Sequence, residues 1–126
     1  MSGTTMTVSR PTAITLWILR VVLAVLFLFA AIMKLSGQQM EVDVFGQVGL
    51  GQWFRYVTGL MELVGAIALV VPRVSALGAL LLLVVDLGAF VAQVAVLHQD
   101  WIHTLVIGAL LGVVVYLQRD KLPIAK

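Results

Sequence analysis

The chain has 126 residues, of which 62% are hydrophobic and only 11% charged, with a mean hydropathy of +1.12. A soluble domain carries roughly 45–50% apolar and about 25% charged residues, so this composition excludes one and indicates an integral membrane protein with room for about four spans of roughly 20 residues. A net charge of +2 without a long basic run gives nucleic-acid binding no footing, and the lack of cysteine excludes disulfides, thiol catalysis and a cysteine-held metal.

Residues 1–12, rich in Ser, Thr and Gly and containing Pro11, are expected to form a disordered cytoplasmic tail. The first span is expected from about Ala13 to Leu35. Arg20 followed by Val21 to Ala31 imitates a signal peptide, but no small-x-small cleavage site follows and Lys34 comes too soon. Ser36 to Gln52 holds Gly37, Gly46, Gly49 and Gly51 with Glu41 and Asp43, and reads as the longest loop. Its Val42, Val44, Phe45, Val48 and Leu50 allow a short interfacial or re-entrant piece packed on the bundle.

Trp53, Phe54 and Tyr56 form an aromatic belt with Arg55 at the headgroups, opening a second span to about Val71 that Pro72 ends. The short turn to Ser75 demands an antiparallel hairpin, and a third span runs to about Leu97. After His98, Gln99 and Asp100, Trp101 marks the interface and a fourth span covers Ile102 to Leu117. Residues 118–126 form a basic tail. Arg10, Arg73, Arg119, Lys121 and Lys126 on one side outnumber Lys34 and Arg55 on the other, which places both termini in the cytoplasm. The single domain expected is therefore an all-α, four-helix membrane bundle over residues 13–117.

Two cations and two carboxylates lie inside these spans: Arg20, Lys34, Glu62 and Asp86. Each costs about 2.5–3.5 kcal/mol if left facing lipid, so pairing in a shared interior is expected. Arg20, Ala24, Phe27, Ala31 and Lys34 share one face of the first span, and Thr58, Gly59, Glu62, Gly65 and Ala66 share one of the second. Gly78, Ala79, Asp86, Ala89 and Gln93 line the third, and Thr104, Gly108, Gly112 and Tyr116 form a small-residue stripe on the fourth. Gly59, Gly65, Gly78, Gly108 and Gly112 are thus candidates for close helix packing. Counting helical rise, Arg20 reaching upward is expected to bridge to Glu62 or Asp86, while Lys34 snorkels or pairs with Glu41, Asp43 or Asp100.

Such a network either fixes helix register or lets Glu62 and Asp86 exchange protons or hold a polar substrate group, and the sequence leaves both open. His98, Asp100 and His103 make a poor metal set, so no metal is expected. Trp17, Phe27, Phe29 and Phe90 offer faces for a quinone ring, although such spacings more often serve the core or lipid. Phosphate-binding glycine loops, nucleophile elbows and HExxH motifs are absent.

The run Leu19-Arg20-Val21-Val22-Leu23-Ala24 through Phe27-Leu28-Phe29-Ala30 to Lys34-Leu35, then Trp53-Phe54-Arg55-Tyr56 and Thr58-Gly59-Leu60-Met61-Glu62, resembles the DoxX-like family. The likeness continues through Leu69-Val70-Val71-Pro72-Arg73 and Leu77-Gly78-Ala79-Leu80-Leu81 to Gly88-Ala89. It implies a small four-helix bacterial membrane protein in which Arg20, Lys34 and Glu62 match the family's Arg, Lys and Glu. Asp86 is less typical, and Ala31 stands where the family usually has Gly. The family is named for a subunit linked to thiosulfate oxidation with quinone reduction, and some members accompany membrane oxidoreductase complexes. The resemblance therefore implies a multi-pass inner-membrane subunit or anchor of a redox-associated complex, with quinone as the cofactor to consider. An oxidoreductase partner protein and a homo-oligomer are the assemblies to consider. The competing reading is a small proton-coupled transporter built on the intramembrane Glu and Asp.

Overall fold

A computed structural model describes residues 10–97 and 101–119, and every regular element among them is helical. The first helix, α1, spans Arg10–Leu35 and α2 spans Gln39–Val48. They are followed by α3 (Gln52–Leu69), α4 (Ser75–Ala92) and α5 (Ile102–Leu117). A π-helical turn over Gln93–Leu97 continues α4. Two helices are long and apolar enough to cross a membrane: α1 with 26 residues and α4 with its π continuation, 23 residues. At 1.5 Å per residue these reach roughly 35–40 Å, more than the hydrocarbon thickness of about 30 Å. The apolar α5 is shorter at 16 residues, and α3 dilutes its apolar run with Gln52, Arg55 and Glu62.

Helix α1 is already helical at Arg10, the first described residue and three before the expected boundary at Ala13. The rest of the expected tail, residues 1–9, lies outside the described residues, as do His98, Gln99, Asp100 and residues 120–126 of the basic tail. The segment read as the longest loop contains α2, of 10 residues. Gly49 ends it with φ at 84°, a left-handed turn in which its N–H reaches Phe45 O, a closure that a side chain would resist.

Helices α1 and α3 pack along much of their length and run antiparallel, since Arg20 of α1 meets Leu69 while Arg55 of α3 meets Lys34. Helix α3 also packs on α4, α4 on α5, and α5 returns to α1. Ser75 Oγ donates to Gln118 Oε1 at 2.7 Å, which ties the start of α4 to the end of α5. Leu23, Leu69, Leu82, Leu111 and Val114 are fully buried between the helices. The outward faces are apolar in turn: Val25, Phe29, Val64, Leu87, Val91 and Ile102 are all more than half exposed. Buried charge inside and bare hydrocarbon outside is the reverse of a soluble protein, and lipid is the solvent that surface fits.

Candidate functional site

The helix contacts are closest where glycine removes a side chain. A Cβ added at Gly78 would lie 2.7 Å from Ala68 Cβ, and one at Gly65 would lie 2.6 Å from Leu82. At Gly59 it would come within 3.0 Å of Leu35, and at Gly108 within 2.7 Å of Asp86 Oδ2. Gly112 differs from the other four expected packing glycines, because a Cβ there would meet nothing within 4 Å.

Arg20, Glu62 and Asp86 all lie inside, with 6%, 5% and 7% of their surfaces exposed. Arg20 does not bridge to either carboxylate. Its Nε donates to Leu69 O at 2.7 Å, one of the carbonyls that the end of α3 leaves without a helical partner, and its guanidinium lies over the Trp17 ring. Leu69 follows Glu62 by seven residues, two helical turns or about 10 Å, too far for one guanidinium to serve both. Arg55, placed at the headgroups by its aromatic neighbours, is buried at 5% exposure and does the reciprocal task. Its Nη1 donates to Lys34 O in the last turn of α1, its Nε donates to Gln52 Oε1 at 2.8 Å, and Tyr56 covers its face. Each arginine thus closes the C-terminal end of the other's helix, where the macrodipole also favours a cation. Arg55→Met should leave both acceptors unpaired and cost about 1.5–3 kcal/mol, measured as earlier unfolding of the purified protein in mixed micelles of rising SDS content.

The carboxylate of Glu62 takes the other cation. Lys34 Nζ stands 3.2 Å from Glu62 Oε1 and 3.6 Å from Glu41 of α2, so one ammonium joins three helices. The contact to Glu62 is an ion pair without hydrogen-bond alignment, since Oε1 has no partner in that geometry. Asp43, the alternative partner for Lys34, instead accepts a hydrogen bond from Gln39 Nε2 at 2.7 Å.

Beside this pair opens a cavity of about 710 Å³, bounded by α1 and α3 on one side, α4 and α5 on the other, and covered by α2. Phe27, Phe45 and Phe54 give it apolar walls, while Trp17, Phe29 and Phe90 take no part in its lining. Lys34, Glu41 and Glu62 form one polar wall. Gln93, His103 and Thr104 form another, where Thr104 Oγ1 donates to Gln93 Oε1 and Gln93 Nε2 lies 3.4 Å from His103 Nε2. Asp86 lines the cavity from α4, seven residues or two helical turns before Gln93. Gln93 begins the π turn, a helical irregularity frequent at functional sites because it re-aims the side chains around it. The cavity has the size and the mixture of apolar wall and few polar groups that small-molecule sites share. Thr104 and His103 were not singled out with Gln93 by spacing, although polar residues facing each other from adjacent apolar helices are the signal that pairs them. Among the described residues no three His, Cys, Asp or Glu side chains gather as a metal site.

Residues 18–117 match the sequence model of the DoxX-like family. No curated protein and no solved structure matches the chain.

Proposed function

Because the chain belongs to the DoxX-like family, we propose that it is a multi-pass protein of the bacterial inner membrane, crossing four times as a helical bundle with both termini in the cytoplasm. In this reading it serves as the membrane subunit or anchor of a redox-associated complex. Four apolar helices in mutual contact, with their charges turned inward, support the crossing count. The excess of Arg and Lys at the termini and the α3–α4 turn supports the orientation. The observation that carries the reading is the cavity: aromatic and aliphatic walls with hydrogen-bonding groups on two sides suit a flat ring bearing oxygen acceptors, and a quinone headgroup is the ligand this reading puts there. Lys34 and the Gln93 amide are the donors that would hold it.

The test is extraction of the tagged chain from its native membranes in mild detergent. The expected result is retention of a soluble oxidoreductase together with quinone-reducing activity that disappears when the chain is deleted. A chain that repeatedly isolates alone, with that activity unchanged by its deletion, would overturn the reading.

A second reading is favoured by one observation, the buried carboxylate of Asp86, which lines the cavity and has no cation beside it among the described residues. An acid held inside apolar helices without a cation suits a small proton-coupled transporter, working alone or as a homo-oligomer. Proteoliposomes that move protons only with a solute, and lose this in Asp86→Asn, would support it; leak-free vesicles with no such movement would remove it.

A further inference from the structure

The cavity carries more negative charge than positive. Among the described residues, Glu41, Glu62 and Asp86 line it with Lys34 as the cation among them, and His103 is the other titratable group on its walls. Lys34 lies within 3.6 Å of Glu41 and 3.2 Å of Glu62, so its single charge is already shared by two carboxylates. Asp86 comes from a different helix and makes no ion pair or hydrogen bond with a described residue, although only 7% of its surface is exposed. Its Oδ2 packs against α5 at Gly108, where an added Cβ would lie 2.7 Å from it. A carboxylate that is nine-tenths buried, lines a cavity and has no counter-charge among the described residues suits a cation brought in from outside.

We propose that the cavity binds a hydrophobic monocation, an organic ammonium or phosphonium whose apolar groups rest on Phe27, Phe45 and Phe54 and whose charge is balanced by Asp86. The proposal rests on the transporter reading above and names its substrate class. Departure of the cation and arrival of one proton on Asp86 leave the charge of the cavity unchanged, which is the condition for exchanging one for the other. An anion of the same size meets three carboxylates and one ammonium already shared by two of them, and a neutral molecule brings Asp86 no counter-charge.

The experiment is equilibrium binding of tetraphenylphosphonium to the purified full-length chain in detergent, against protein-free micelles, with the equally shaped tetraphenylborate measured separately. Saturable binding of the cation at least about tenfold tighter than the anion is expected. Asp86→Asn, which keeps the side chain's shape, should weaken the cation at least about tenfold, and so should Gly108→Ala, whose Cβ would displace the carboxylate. Equal affinity for the two ions, or wild-type affinity in Asp86→Asn, would overturn the proposal. The ion comparison uses the unaltered protein and needs no variant to fold. Cation binding without proton flux in proteoliposomes would retain this site and remove transport; proton-coupled flux without cation binding would do the reverse.

Discussion

Lys34→Met is expected to destabilise the folded protein by about 3–5 kcal/mol, and adding Glu62→Met should return most of that loss. The first change leaves the Glu62 carboxylate, 5% exposed, with no cation within reach, because Arg20 is engaged two turns away at Leu69. A buried charge stripped of its partner carries its full desolvation cost, whereas two apolar side chains of similar volume in place of the pair do not. Stability read from SDS titration should therefore show a coupling between positions 34 and 62 above about 1 kcal/mol. The same cycle between Arg20 and Glu62 should give a coupling near zero, since the two belong to separate contacts. Equal coupling in the two cycles would mean that the charges form one diffuse network instead of a lysine pair and an arginine cap.

Gly78→Ala is the second large effect. The new Cβ would lie 2.7 Å from Ala68 Cβ and 3.0 Å from two backbone atoms of α3, Gly65 O and Leu69 N. A side chain can swing aside, but the backbone of a packed helix cannot, so α4 must move off α3 and loosen the fully buried Ala79 and Leu82. Overpacking of this kind costs about 1–3 kcal/mol. Gly112→Ala is the matched control, with open space around its Cβ position and the same gain in helix propensity of about 0.8–1 kcal/mol. It should be neutral or slightly stabilising in the same titration, and comparable losses at both positions would show that the α3–α4 contact is not where the packing is tightest.

The helices themselves were legible because hydropathy and interruption by Pro, Gly and charge are strong local signals. The fourth span matches α5 residue for residue, and the third includes the π turn within its expected range. Helix α2 was less legible, since Gly46 and a mixture of polar and apolar residues mask a short helix that packs on α3 and covers the cavity. The inward placement of Glu62 and Asp86 was readable from the small residues around them. Their partners were not, because charge matching considers only side chains. Arg20 found a helix-terminal carbonyl instead, and Arg55 beside Tyr56 looked like any interfacial arginine. Which cation meets which acceptor depends on the vertical offset of antiparallel helices, and glycine contacts between those helices, which side-chain charge matching does not register, help to set it.

The central claim is that the Asp86 side of α4 faces a polar cavity while its opposite side faces lipid. Since the chain contains no cysteine, one introduced thiol at a time reports a single position. Ala89 lines the cavity one turn from Asp86, and Leu87, two residues away, is 55% exposed on the outward face. Reaction of each cysteine with a small, water-soluble thiol reagent in sealed native membranes is the direct measurement, because a thiol must ionise to react and does so only where water reaches it. Ala89→Cys should label and Leu87→Cys should not; equal labelling, or labelling of Leu87→Cys alone, would contradict the account.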